Sequence, residues 1–124
     1  MHKQALVSSR FNGKLVETEI AGRVTGPMIN TMITDYRRLG GGTVWLIRAE
    51  AATAYTAEAM NEAIKGFPEL FKRGGLLRIV AVIVAPTVRM GAHVVAMSLR
   101  TAGSPIDIKV VSDVGEATSA LAVQ

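Results

Sequence analysis

Residues 5–20 read Ala5-Leu6-Val7-Ser8-Ser9-Arg10-Phe11-Asn12-Gly13-Lys14-Leu15-Val16-Glu17-Thr18-Glu19-Ile20, two strand-forming segments on either side of Asn12-Gly13. Asn-Gly is a strong signal for a β-hairpin, because both central residues of a type I′ turn need a positive φ. The sequence after this hairpin alternates helix, strand, helix, strand, helix, strand and helix. This alternation predicts an α/β fold in which about four helices pack on a mixed sheet of about five strands.

Glycine and proline predict the ends of the first helix. Thr25-Gly26-Pro27 suits a helix start, since proline at the first helical position loses no hydrogen bond. Gly40-Gly41-Gly42 ends the helix, because glycine readily adopts the left-handed conformation of a C-terminal cap. Thr43–Arg48 then predicts a buried strand, and residues 51–55 are expected to form a connecting loop.

The second helix is predicted to begin at Thr56, a residue type that caps helix N-termini well. Pro68 cannot donate to the carbonyl of Ile64, so we expect this helix to end near Lys65 and a short turn to follow over residues 68–72. Its apolar positions, spaced by four, three and four residues, are Met60, Ile64, Phe67 and Phe71.

The remaining elements complete the alternation. Residues 77–85 are rich in β-branched side chains and predict a central strand covered on both faces. A third helix is expected over residues 86–101, and a strand nearer the edge of the sheet over residues 106–111. Asp113 and Glu116 have the spacing of a capping box and predict the start of a last helix.

Length and composition narrow the class of protein. A chain of 124 residues suits one domain, spanning residues 1–124. It has no cysteine, which excludes disulfides, thiolate zinc sites and a cysteine nucleophile. No signal peptide is evident, and the longest apolar run, residues 79–86, is too short for a transmembrane segment. We therefore expect a cytoplasmic protein.

The charge pattern argues against a nucleic-acid partner. The formal net charge is +4, but the arginines are spread along the chain and are not interleaved with aromatic residues. Only Arg37-Arg38 and Lys72-Arg73 are adjacent, and both pairs fall near predicted helix C-termini, where cations are stabilised by the helix dipole.

Residues suited to catalysis are few. His93 falls within the third helix, with no carboxylate at helical spacing to orient it. No serine stands in a Gly-x-Ser-x-Gly motif, and the carboxylates show no spacing typical of metal ligands. Glu58 and Glu62 form a like-charged pair, best explained as a solvated helix face. We therefore expect no catalytic residue, no metal site and no cofactor.

The third helix is apolar on two sides. One stripe, expected to face the sheet, consists of Val88, Ala92, Val95 and Leu99. The second stripe consists of Met90, Val94 and Met97. A helix that is apolar nearly all round is buried on more than one face, so a partner subunit or a ligand could cover the second stripe. Alternatively, its methionines fill gaps against a neighbouring helix.

The segment before the second helix is a candidate for binding, because ligands and partners of open α/β sheets usually bind beyond the carboxyl ends of the strands. Here that segment contains Thr53, Ala54, Tyr55 and Thr56, with Glu58 in the first turn of the helix. Thr56 could hold a phosphate at the helix N-terminus, or it could serve only as the cap.

From Lys14 to Ala122 the chain resembles the STAS domain, the family of bacterial anti-sigma-factor antagonists and the cytoplasmic tails of sulfate transporters. It also resembles small standalone STAS-type proteins that are grouped with CRAL-TRIO lipid-transfer modules. The matching stretches are Ile20-Ala21-Gly22-Arg23-Val24-Thr25, Thr43–Arg48, Ala85-Pro86-Thr87-Val88-Arg89 and Ile108-Lys109-Val110-Val111.

One segment departs from the family pattern. The resemblance implies an Asp-Ser-Ser-Gly-like motif at the start of the second helix, with a serine that a partner kinase phosphorylates. This chain has Ala54-Tyr55-Thr56-Ala57 there, which lacks both the aspartate and the glycine. Thr56 or Thr53 could be the phosphoacceptor outside the usual motif, or this chain has no such switch.

We therefore expect a non-enzymatic regulatory or scaffolding module that acts by protein–protein interaction, with a protein partner, as a homodimer, or both. Residues 53–56, the first turn of the second helix and the stripe Met90, Val94 and Met97 are the expected contact surfaces. The alternative is a carrier or sensor of a small apolar ligand such as a lipid, bound near Phe67, Phe71 and Met90, although core packing explains these residues equally well.

Overall fold

The computed structural model describes residues 6–122, so Ala5, which was predicted to open the first strand, lies outside them. Their five strands form one sheet in the order β1-β2-β3-β4-β5, in which β1 and β2 are antiparallel and the other pairs are parallel. The predicted mixed sheet with four helices is confirmed. The elements in chain order are β1 (Leu6–Phe11), β2 (Val16–Val24), α1 (Gly26–Arg38), β3 (Val44–Tyr55), α2 (Ala57–Gly74), β4 (Arg78–Ile83), α3 (Pro86–Thr101), β5 (Asp107–Val111) and α4 (Val114–Ala122).

The hairpin between β1 and β2 is confirmed, but its turn differs from the prediction. Four residues, 12–15, join the two strands. Gly13 has a φ of +95°, whereas no residue other than glycine has a positive φ within residues 6–122, so the predicted type I′ turn is wrong. Asn12 acts through its side chain instead: its Oδ1 accepts hydrogen bonds from the backbone N–H groups of Lys14 at 3.0 Å and Leu15 at 3.1 Å.

Strand β3 is longer than predicted, because residues 51–55 continue the strand and do not form a loop. This second half pairs with the end of β2, where Ala51 lies opposite Ala21 and Tyr55 opposite Val24. The register shifts twice along the pair, and such bulges bend a strand without ending it. The alanine-rich segment therefore gains its strand conformation from its neighbour and not from its own β propensity.

Helix α2 also continues past its predicted end, since Pro68 lies inside one uninterrupted helix. The proline costs one backbone hydrogen bond, to the carbonyl of Ile64. Phe67 and Leu70, on either side of it, are both buried against the sheet. Burying two such side chains contributes on the order of 3–6 kcal/mol, which outweighs the cost of about 3 kcal/mol for an interior proline.

The helices cover the two faces of the sheet unequally. Helices α1, α2 and α3 pack on one face, where Trp45 is fully buried against Tyr36 and Phe67, with ring centroids 4.6 and 5.6 Å away. Helix α4 packs on the other face, where Ala117 contacts side chains of the inner strands around Val80. Strand β4 is thus covered on both faces, and β5 lies at the edge, as predicted. Across residues 6–122, no helix combines the length and the apolar character needed to span a membrane.

Candidate functional site

The parallel strands bring the predicted binding segment to one edge of the sheet. Strands β2, β3, β4 and β5 run in the same direction, so their carboxyl ends and the first turns of the four helices meet at this edge. The backbone N–H of Thr56 donates to the carbonyl of Val24 at 3.1 Å, which joins the start of α2 to the end of β2. We call residues 53–58 the β3–α2 junction.

The two candidate phosphoacceptors of the junction lie in different surroundings. Thr56 caps α2 as predicted, because its Oγ1 accepts a hydrogen bond from the N–H of Ala59 at 3.0 Å. Thr53 is the extra residue of a bulge in β3, between Ala52, which pairs with Gly22, and the next paired residue. Its side chain is exposed, whereas that of Thr56 is half-buried.

Tyr55 links the junction to α3. Its ring packs so closely on Gly91 that a Cβ atom at that glycine would lie 2.8 Å from Cδ2 of the ring. Burial raises the pKa of the Tyr55 phenol, so the group is neutral at physiological pH. The sequence contained a signal for this contact, a glycine inside a helix that it does not end, but not the identity of the residue packed against it.

Glu58 connects the starts of α1 and α2. Its exposed carboxylate lies over Gly26, where a Cβ atom would overlap the Glu58 side chain. Thr25, the N-cap of α1, makes no side-chain hydrogen bond to the helix. The negative charge of Glu58 lies at this helix N-terminus, where the helix dipole favours an anion. This predicted partner-binding residue therefore also has a role within the fold.

The two apolar stripes of helix α3 lie on opposite sides of the helix, one buried and one exposed. The first stripe, from Val88 to Leu99, is buried against the sheet as predicted. The second stripe points outward, and the side chains of Met90, Val94 and Met97 are 69%, 45% and 64% exposed. These two methionines therefore do not fill gaps in the core. Because Gly91 carries the contact with Tyr55, the outward stripe begins beside the β3–α2 junction.

An apolar cavity of about 50 Å³ lies between the sheet and helices α1–α3. Tyr55 and Phe67 line it, but Phe71 and Met90 do not, and both of these side chains are exposed. The three residues of the predicted ligand pocket are thus not brought together around this cavity. Ligand pockets usually have volumes of about 300 Å³ or more, so the cavity is too small for a lipid.

Arg89, which the sequence analysis did not single out, joins two loops at the same edge. Its Nη2 donates to the carbonyl of Ile83 at 3.0 Å and to Oγ of Ser112 at 2.9 Å. These bonds hold the end of β4 beside the turn that leads into α4. Asp113 caps α4 as predicted, because the Glu116 N–H donates to its Oδ1 at 2.8 Å, but Oε1 of Glu116 accepts from the N–H of Ser112 and not from that of Asp113. Within residues 6–122, no three His, Cys, Asp or Glu side chains are grouped as metal ligands.

Comparisons with known proteins identify the fold. No family model matches the chain, and no curated protein matches it significantly. The chain is similar in structure to an anti-sigma factor antagonist from Mycobacterium paratuberculosis, with a TM-score of 0.64, 12% identity, and coverage of 96% of this chain and 95% of that chain. It is also similar to an uncharacterized protein of the DUF3478 family with a SpoIIAA-like fold, from Shewanella loihica, with a TM-score of 0.63, 14% identity, and coverage of 98% of both chains. The chain therefore has a STAS-like α/β fold.

Proposed function

We propose that this protein is a non-enzymatic regulatory or scaffolding module that acts by binding another protein. One observation carries the proposal: Met90, Val94 and Met97 form an outward apolar stripe on a helix whose opposite face is already buried. Leaving such a stripe in water has a free-energy cost that a bound partner removes. Gly91, next to Met90 in α3, packs on Tyr55 of the β3–α2 junction, so the two expected contact surfaces adjoin at this contact.

The fold supports the same function class. One protein of similar structure is named an anti-sigma factor antagonist, a name that describes regulation through another protein. Both proteins of similar structure come from bacteria, and we propose that this chain works in a bacterial cytoplasm. A homodimer through the same surfaces would also cover the stripe, so the mass of the native complex decides which assembly forms.

Phosphorylation at the β3–α2 junction would give such a module a switch. Of the two candidate hydroxyls, exposure favours Thr53, because a kinase can reach it without disturbing a helix cap. A phosphate there adds close to two negative charges beside the surface that we propose for binding. Binding and modification would then affect each other through charge.

The test is native mass spectrometry of the protein purified from its own host, followed by denaturing intact mass on the same sample. We expect a complex that separates into unmodified chains, and its mass gives the stoichiometry. A covalent phosphate on the denatured chain would establish the switch and leave Thr53 and Thr56 as the sites to map. A monomer that carries a stoichiometric apolar small molecule would replace this proposal with the carrier.

A further inference from the structure

The charges around the outward stripe of α3 point to the chemistry of the partner, an inference that rests on the proposed function. Helix α3 contains no acidic residue between Pro86 and Thr101. On the side away from Gly91 the stripe is bordered by two exposed side chains, His93 and the cationic Arg100. The stripe therefore has a positive charge, that of Arg100, on this border near Met97.

Helix α2 supplies the other border. Its side towards α1 is identified by two contacts: Nδ2 of Asn30 donates to Oε1 of Glu62 at 3.0 Å, and Gly66 lies against Ile33. At helical spacing the opposite side of α2, which faces α3, is apolar. It carries Met60, Ile64 and Phe71, of which the first two are half-buried and Phe71 is exposed.

The acidic and basic residues of α2 lie on different sides of the helix. The acidic side chains Glu58, Glu62 and Glu69 repeat at intervals of four and seven residues and lie on the side towards α1. Lys65 and Lys72, seven residues apart, lie on the outer side of the helix, between the acidic row and the apolar side. Their side chains are 74% and 69% exposed, even though each is near a glutamate of its own helix.

We propose that the α2–α3 surface, defined by Met60, Ile64, Phe71, Met90, Val94 and Met97, binds an acidic amphipathic helix of a partner protein. An apolar stripe on that helix would lie along the surface, and its Asp or Glu residues on both flanks would face the two basic borders. A second copy of this chain fits less well, because pairing two α3 helices would give Arg100 of either copy no acidic residue of the other α3 to face.

The first test uses two synthetic helical peptides that share one apolar stripe and differ only in whether glutamate or lysine flanks it. Fluorescence anisotropy should show that the glutamate peptide binds more tightly, by a factor on the order of ten at low salt, with the difference shrinking as salt is added. The double variant Lys65→Glu with Lys72→Glu should remove most of this preference.

The matched control is Lys14→Glu with Lys109→Glu, which changes the net charge equally at the hairpin turn and on the face of β5 opposite to α3, since Ile108 and Val110 on either side of Lys109 pack with the core under α1–α3. This control should keep the preference for the glutamate peptide. Equal binding of the two peptides, no binding of either, or the same loss of preference in both double variants would overturn the inference.

The second test uses the native complex and separates this inference from the proposed function. A zero-length carbodiimide joins amines to carboxylates that are in contact. We expect it to link Lys65 and Lys72 of this chain to Asp or Glu residues of the partner. A complex whose cross-links arise only from other lysines would refute the acidic-helix partner and leave the interaction module intact. Absence of any complex would contradict both.

Discussion

Two surfaces of this molecule that no helix covers differ in the interactions that their exposed side chains make. The open part of the sheet, on the face that α4 leaves uncovered beside β1, β2 and β3, presents charged side chains that pair with one another. Nη2 of Arg10 lies 3.3 Å from Oε2 of Glu17, and Nη2 of Arg48 lies 2.7 Å from Oε1 of Glu50. The α2–α3 surface presents exposed methionine, valine and phenylalanine side chains. Of the cations on its borders, Lys65 and Lys72 pair with Glu62 and Glu69 of α2, whereas α3 has no acidic residue for Arg100.

The difference indicates which exposed surface we expect a partner to cover. Water and internal ion pairs satisfy the open sheet, so its exposure costs the folded chain little. Exposed apolar side chains are not satisfied by water, and a group of them on one helix marks a binding site more often than a random surface does. Partner binding is therefore expected at the α2–α3 surface and not on the open sheet.

The largest expected effect comes from a charge within the α2–α3 surface. Val94→Glu should weaken binding of the natural partner by a factor on the order of one hundred, because it would bury an unpaired charge at the interface. The free chain should stay folded, since Val94 is 45% exposed. Titration by calorimetry with the purified partner measures this effect.

Glu19→Lys is the control for that variant, a charge change on the open sheet that should leave the affinity unchanged. If Val94→Glu keeps wild-type partner binding and oligomeric size, the α2–α3 surface is not the interface. If both variants weaken binding equally, the two surfaces do not differ in the way proposed.

Alkaline pH should lower the stability of the protein through the buried Tyr36 of α1 and not through the ion pairs of the open sheet. Burial raises the pKa of Tyr36 to about 12, from the ordinary tyrosine value of 10.0. Since the folded pKa is the higher one, the stabilisation that Tyr36 contributes is complete below pH 10 and is lost as the pH rises towards 12, by about 1.4 kcal/mol per pH unit. Tyr55, whose pKa burial also raises, adds to the alkaline slope of the wild type and remains in a Tyr36 variant. Chemical denaturation between pH 9 and about 12 measures the slope.

Tyr36→Phe is the matched variant, since it removes the ionisable hydroxyl, which donates to the carbonyl of Gly42. The variant should be less stable at neutral pH but lose less stability above pH 10. On the open sheet, the hydrogen bond to Glu50 raises the pKa of Arg48, so its ion pairs should not contribute to the slope. An equal alkaline slope in the variant and the wild type would show that Tyr36 is not the cause.

A smaller effect is expected where α3 meets the β3–α2 junction. Gly91→Ala should lower the free energy of unfolding by about 1–2 kcal/mol, because the new Cβ atom would overlap the rigid ring of Tyr55. Gly66→Ala is the control: its Cβ would meet only the flexible end of Ile33, which can move away. Urea denaturation of both variants measures the difference, and a Gly91→Ala protein as stable as the wild type would exclude the close packing.

The smallest effect is expected on the open sheet. Arg48→Gln removes the ion pairs with Glu50 and Glu17, and we expect it to change stability by less than about 1 kcal/mol. Partner affinity should be unchanged in the same protein. A loss of binding as large as that of Val94→Glu would place the open sheet in the interface and reverse the comparison.

The sequence predicted those elements whose signals are local. The Asn12-Gly13 hairpin, the start of α1 at Gly26-Pro27 and the caps at Thr56 and Asp113 all depend on residues close to one another along the chain. It did not predict the second half of β3, because residues 51–55 become a strand only by pairing with β2. Nor did it predict α2 beyond Pro68, where burial against the sheet outweighs the lost hydrogen bond.

In the candidate site, too, local patterns were predictable from the sequence and tertiary contacts were not. Helical spacing revealed the stripe of Met90, Val94 and Met97, but spacing alone could not decide between a core gap and an exposed surface. That choice depends on how far apart the helices lie, which is a property of the packed fold. The contact between Tyr55 and Gly91 likewise joins residues that no sequence pattern relates.

Methionine methyl NMR of the chain, alone and with the partner isolated from its own host, tests the central claim most directly. Met90 and Met97 lie on the α2–α3 surface, whereas Met32 is a buried residue of α1 and provides an internal reference. We predict that the partner shifts or broadens the signals of Met90 and Met97 and leaves that of Met32 in place. Unchanged signals from Met90 and Met97 in a sample where the complex has formed would contradict the account.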